Sequence, residues 1–244
     1  MKTAMLFLMS ILFFTGSIAQ PVKKHGWLKV AGTQLTDQHN QPLILNGMSF
    51  GWSCFHPRFY TAGAVKWLYK DWNCNVVRAA LGVEPARGYL QNPVASAALI
   101  KTVVDAAIKE GIYVIIDWHS HNINLKEAKA FFIEMAATYH RFPNIIYEIF
   151  NEPDHETWAD VKIYSTEIIS AIRAIDSSNI ILVGSPHWDQ DINLPAGDPI
   201  KGFKNLMYTV HFYAGTHKQW LRDRTDSAIA CVCPRKNELC TLNY

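Results

Sequence analysis

The chain has 244 residues, 49% of them hydrophobic and 18% charged. That balance supplies one sizeable core and excludes a disordered or low-complexity chain. The net charge of +2 comes from scattered Lys and Arg, so no basic stripe marks a nucleic-acid partner or an anionic membrane surface.

At the N-terminus Lys2 precedes an apolar run over 4–14, and Ser17-Ile18-Ala19 places small residues at the −3 and −1 sites. This pattern predicts a secretory signal peptide over 1–19, cleaved before Gln20, and hence a secreted protein. The run is too short to span a bilayer of roughly 30 Å. Five Cys is an odd number; Cys54 and Cys74 are candidates for a pair in an oxidising compartment, and Cys231, Cys233 and Cys240 crowd the end.

Residues 27–45 then read as a hairpin turning near Asp37-Gln38-His39-Asn40. Beyond it short β-branched runs alternate with amphipathic stretches. Strands are expected over 43–51, 76–82, 113–119, 145–151, 180–185 and 206–213. Helices are expected over 61–72, 93–111, 125–140, 157–175 and 217–230.

Nearly continuous Val/Ile strands between helices predict a parallel sheet covered on its outer face. A doubly wound sheet and a (β/α)8 TIM barrel both fit. Several strands end in polar or aromatic groups, among them Arg78, Asp117-Trp118-His119, Asn151-Glu152-Pro153, His187-Trp188 and His211-Phe212-Tyr213. Barrel enzymes build their sites from many strand ends, whereas an open sheet gathers them at one switch point, usually beside a Gly-rich loop that is absent here. The α/β fold expected is therefore an incomplete TIM barrel with an N-terminal hairpin. About six β/α units lie within 20–230 and the last two of eight are missing.

Glu152 follows a buried strand directly, and a carboxyl at the mouth of an apolar barrel is expected to have a raised pKa and to donate a proton. Retaining glycoside hydrolysis needs such an acid and a second, ionised carboxylate roughly 5–5.5 Å away. Asn151 is placed to bond a sugar 2-hydroxyl. The tripeptide by itself also reads as a loop Glu before a turn Pro. Arg78, flanked by Val76, Val77, Ala79 and Ala80, fits a buried role better than a surface cation. His119 and His121 share a strand face, but no third ligand has metal-site spacing, so neither a metal nor a cofactor is expected.

The strings VVRAALG, GIYVIIDWHSH, IIYEIFNEP and MYTVHFYAGTH, in that order, resemble glycoside hydrolase family 5, especially its bacterial and nematode-type endo-β-1,4-glucanases. The resemblance runs from about residue 29 to 230. It implies a retaining endo-glucanase acting on cellulose or β-glucan by double displacement, with Glu152 as acid/base and Asn151 beside it on the sugar. It implies that Arg78 supports the nucleophile, that His119 and His211 line the cleaved subsite, and that Tyr213 bonds the nucleophile. Trp188 and Trp52 are the implied stacking platforms. A monomer with a polysaccharide as its partner is expected.

Two departures stand out. Gly82 sits where relatives often carry an aromatic residue. After Ala230, where relatives continue to a strand ending in the nucleophilic Glu, residues 231–244 form an unrelated tail with no apolar run of strand length. The chain is therefore expected to lack its nucleophile. A mannanase or xylanase is the nearest alternative, and a non-catalytic cellulose-binding protein is the alternative of a different class.

Overall fold

The computed structural model describes residues 20–232 and 241–243. The expected signal peptide, Cys233 and Cys240 lie outside the described residues. The chain opens with helix α1 (Pro21–His25) and a two-stranded antiparallel ribbon, β1 (Lys29–Ala31) and β2 (Gln34–Thr36). Then follow β3 (Gly47–Ser49), α2 (Ala62–Trp72), β4 (Val76–Gly82), α3 (Pro93–Glu110), β5 (Tyr113–His119), α4 (Leu125–Tyr139), β6 (Ile145–Glu148) and α5 (Trp158–Arg173). The last elements are β7 (Ile180–Val183), short helices α6 (Pro186–Asp189) and α7 (Asn193–Gly197), β8 (Leu206–Val210), α8 (Gln219–Val232) and β9 (Thr241–Asn243).

Helix limits follow local chemistry. Thr61 accepts the Ala64 N–H to start α2, and Asn73 stops it in the left-handed region at φ 54°. Pro93 opens α3 and Gly111, at φ 72°, closes it. Thr157 and Asp160 form a reciprocal capping box on α5.

The strands β3-β4-β5-β6-β7-β8-β9 pair parallel in chain order. Side-chain alternation splits them into two cores. Val77, Ala79, Leu81, Val114, Ile116, Tyr147 and Ile181 pack with the helices on the outer face. Val76, Tyr113, Ile115, Ile146, Ile180, Leu182 and Met207 turn to the other face, where Leu28 and Leu35 of the ribbon join them. A sheet with helices on one side and its own side-chain core on the other is a curled half-barrel. The ribbon covers its floor, and the Tyr113 hydroxyl ties it down by donating to the Gly26 carbonyl at 2.8 Å.

Four expectations are corrected. The ribbon first reverses at Gly32, at φ 63°. The Asp37–Asn40 turn is a second reversal, closed by the Thr36–Pro42 bridge. The strand expected over 43–51 shrinks to Gly47–Ser49, because Leu43 donates instead to Leu35. Residues 241–243 of the tail join the sheet by pairing with β8, so the tail does contribute a strand. Cys54 and Cys74 are buried free thiols, and Cys231 is an exposed one. Among the described residues no helix is long and apolar enough to cross a membrane.

Candidate active site

The parallel register brings charged residues from neighbouring strands together at the open end of the half-barrel. Asp117 on β5 sits opposite Glu148 on β6, and Arg78 on β4 points into the same face. Arg78 Nε donates to Glu148 Oε2 at 2.6 Å and Nη2 to Glu148 Oε1 at 2.8 Å. Nη2 also donates to Asn151 Oδ1 at 2.7 Å and lies 3.0 Å from Asp117 Oδ2. Arg78 is 7% exposed and Glu148 and Asp117 are fully buried, so the charges of Arg78 and Glu148 sustain each other. Burial raises Glu148, but the charge and hydrogen bonds of Arg78, with His211, outweigh it and bring the carboxyl down to about 2. Asp117 goes the other way: burial pushes it well up, against the pull of Arg78.

Outside this cluster, Asn151 and Glu152 are carried by the loop after β6 rather than by the expected strand end. His211 likewise follows the last residue of β8. Its Nδ1 lies 2.8 Å from Glu152 Oε1, while Nε2 faces Asp189 Oδ2 at 3.5 Å and Glu148 Oε1 at 3.7 Å. Burial lowers His211, but Asp189, Glu148 and Glu152 overcome it and push the imidazole up to about 10. The expected rise of Glu152 is overturned. Burial does raise it, but the hydrogen bond and charge of His211, then the charges of His121 and His119, hold it below the ordinary carboxylate value.

On the opposite rim His119 Nδ1 lies 2.7 Å from Asp117 Oδ2, and burial followed by Arg78 keeps its pKa well below the usual imidazole range. Trp52 meets His119 edge-on at 4.3 Å and stacks on His121 at 5.5 Å and 28°. One face of that indole is therefore already occupied. His121 Nδ1 in turn lies 3.2 Å from the Glu152 carbonyl oxygen and 3.8 Å from its Oε2.

These groups line a cleft of about 890 Å³. Of the eight residues expected from the sequence, Trp52, Arg78, His119, Asn151, Glu152, His211 and Tyr213 all reach it, and Trp188 does not. Trp188 is instead the middle of three consecutive left-handed residues, His187, Trp188 and Asp189, at φ 54°, 55° and 62°. Its amide donates to the Pro153 carbonyl at 3.0 Å. Each such residue costs about 1–2 kcal/mol. The turn delivers Asp189 into full burial, where Oδ1 accepts the Ser185 N–H at 2.7 Å and Oδ2 accepts the Thr209 hydroxyl.

Sequence reasoning assigned no role to Glu148, Asp117, His121 or Asp189. A signal existed for the first two, since a carboxylate inside a buried strand must find a cation. For Asp189 none existed, because a turn residue's inward aim is set by backbone the sequence does not advertise.

A cleft at the strand ends of a half-barrel, lined by one carboxylate, three imidazoles and an indole, defines the class of β/α-barrel glycosidases. Residues 36–238 match the model of the cellulase family, glycosyl hydrolase family 5, and the chain belongs to that family. It is 50% identical over 175 residues to Endoglucanase Z of Dickeya dadantii, covering 70% of this chain and 41% of that protein. It is 45% identical over 212 residues to an endoglucanase of Clostridium saccharobutylicum, covering 84% and 47%. Among solved structures, one from Cytophaga hutchinsonii superposes with a TM-score of 0.86 at 44% identity, over 91% of this chain and 71% of that one. The catalytic domain of a Thermobifida fusca endoglucanase gives a TM-score of 0.78 at 29% identity, over 92% and 87%. The chain thus spans less than half the length of these curated relatives.

Proposed function

We propose that the chain carries the acid/base half of a retaining endo-β-1,4-glucanase site for cellulose or β-glucan. The observation that carries this is Glu152 at the cleft surface, with a carboxyl oxygen held by His211 and its neighbour Asn151 fixed by Arg78. Because Arg78 takes Asn151 Oδ1, the buried Nδ2 is left as a donor with no partner among the described residues. It is suited to a substrate hydroxyl, as at the 2-position in retaining enzymes.

Double displacement needs a second ionised carboxylate near the first. Glu152 is the only carboxylate among the described cleft-lining residues. Glu148 is unsuited to attack, being fully buried with both oxygens bound by Arg78. The nucleophile is therefore not supplied by the described cleft-lining residues. The lowered Glu152 agrees with this: with no second negative charge beside it, burial alone opposes His211 and does not outweigh it.

The test is to express residues 20–244 and measure both retention on cellulose and release of reducing ends from soluble cellulose. Retention without release is expected; release abolished by Glu152→Gln would refute the missing nucleophile. In a full-length version of the enzyme, the same Glu152→Gln change should lower turnover by at least about 100-fold. Unchanged cleavage there would remove Glu152 from the acid/base role. We further propose, from the leader-like residues 1–19, that the protein is secreted. Its appearance in culture medium only when those residues are present is the check.

A further inference from the structure

The buried carboxylate of Asp189 is not accounted for by sugar binding or by acid/base chemistry, and it lies outside the cleft lining. Its surroundings nonetheless define a task. The two donors on its oxygens, the Ser185 amide and the Thr209 hydroxyl, are neutral, so they satisfy its lone pairs without balancing the charge of its ionised form; burial pushes this carboxyl up to about 8, against the pull of His211. The nearest cation is His211, whose Nε2 lies 3.5 Å from Asp189 Oδ2. Glu148 also faces that nitrogen, at 3.7 Å, but Arg78 already grips both of its oxygens. Thus Glu148 has its own counter-ion and Asp189 does not.

His211 is consequently held at both ends, by Asp189 on Nε2 and by Glu152 on Nδ1. Hydrogen-bonded to one carboxylate through Nδ1 and facing a second at ion-pair distance through Nε2, the imidazole is favoured in its protonated form. We propose that Asp189 is a positioning residue for the catalytic end of the cleft: it anchors the far nitrogen of His211 so that the near one is presented, with its proton, to Glu152. The backbone agrees with a dedicated placement. Three successive non-glycine residues adopt the left-handed region, and the third is Asp189. Asp and Asn are among the few side chains that tolerate that region. The inference rests on Glu152 being the acid/base only for its consequence in catalysis; the His211–Asp189 pairing is read without turnover.

The other charged groups around His211 are Arg78 on β4, Asp117 on β5, Glu148 on β6 and Glu152 beyond it. A single substitution must therefore leave them in place. Asp189→Asn does so, since Asn keeps the shape, can accept the Ser185 N–H on Oδ1 while its Nδ2 donates to the Thr209 hydroxyl oxygen, and tolerates the left-handed backbone.

In the ¹⁵N spectrum of the whole chain, the His211 ring signals are assigned by their loss in His211→Gln and followed across pH. Asp189→Asn is expected to lower the His211 midpoint by about 1–3 pH units, the effect of removing an opposite charge at this range. Should that variant fail to fold, Asp189→Gly is the substitute, because glycine accepts the backbone freely. A midpoint shifted by less than about 0.5 units in the folded variant overturns the proposal. So does an unmodified chain whose His211 titrates in the ordinary imidazole range. A shift in His211 together with normal cleavage by a full-length Glu152→Gln enzyme would leave the pairing standing and sink the acid/base reading alone.

Discussion

At the residue scale, the centre of the site is one guanidinium shared among several neighbours. Arg78 binds Glu148 with two nitrogens and reaches Asn151 and Asp117 with one of them. The sequence made a buried role for this arginine legible, because its flanks are apolar, but it did not name the partner. Family resemblance pointed to a nucleophile; the structure supplies Glu148 instead. The pairing has a pH signature. Glu148 is held at about 2 in the folded protein against an ordinary 4.5. A depressed carboxyl adds stability above its unfolded value, and that stability is lost as pH falls from 4.5 towards 2. The contribution is on the order of 3 kcal/mol. Urea unfolding of the unmodified chain and of Glu148→Gln should therefore differ most above pH 4.5 and converge below it. A difference that stays constant over that range would contradict the pairing.

At the element scale, the strands that were read best are those with the most regular surroundings. β4 and β5 match their expected limits at both ends, because both are buried along nearly their whole length between two neighbours and their apolar runs coincide with their hydrogen-bonded ladders. The readings that ran long at 145–151 and 206–213 included residues that leave the ladder to aim side chains into the cleft, and the one at 180–185 ran into Gly184 and Ser185, which lead into α6. Residue type shows that such positions are buried, but it does not show that pairing has stopped. The 43–51 reading failed for a related reason: an apolar run does not say which neighbour it will pair with, and Leu43 pairs with the ribbon.

The ribbon is also where element-level energetics are most testable. Leu28, 4% exposed, is part of the floor packed against Val76 and Ile146, so Leu28→Ala should cost about 2–5 kcal/mol. The outer helices are linked by exposed pairs, such as Lys129 with Glu167 at 2.8 Å between α4 and α5. Lys129→Ala should cost less than about 1 kcal/mol. Denaturant midpoints of the two variants measure both, and equal losses would mean that surface charge rather than the floor holds the layers.

At the scale of the whole molecule, one sheet separates two cores, and the helical side is the larger. That side contains Cys74, and Cys54 lies against the sheet beside Gly82, where a side chain on the glycine would come within 2.5 Å of its sulfur. The space a side chain at Gly82 would need is thus already filled. Neither sulfur forms a bridge, each is 5% exposed, and burial pushes both thiols above their usual pKa. The protein thereby carries its own clock. A thiol-specific dye should colour Cys231 at mixing and reach Cys54 and Cys74 only as fast as the layers part. The lag between the two phases would time the parting of those layers.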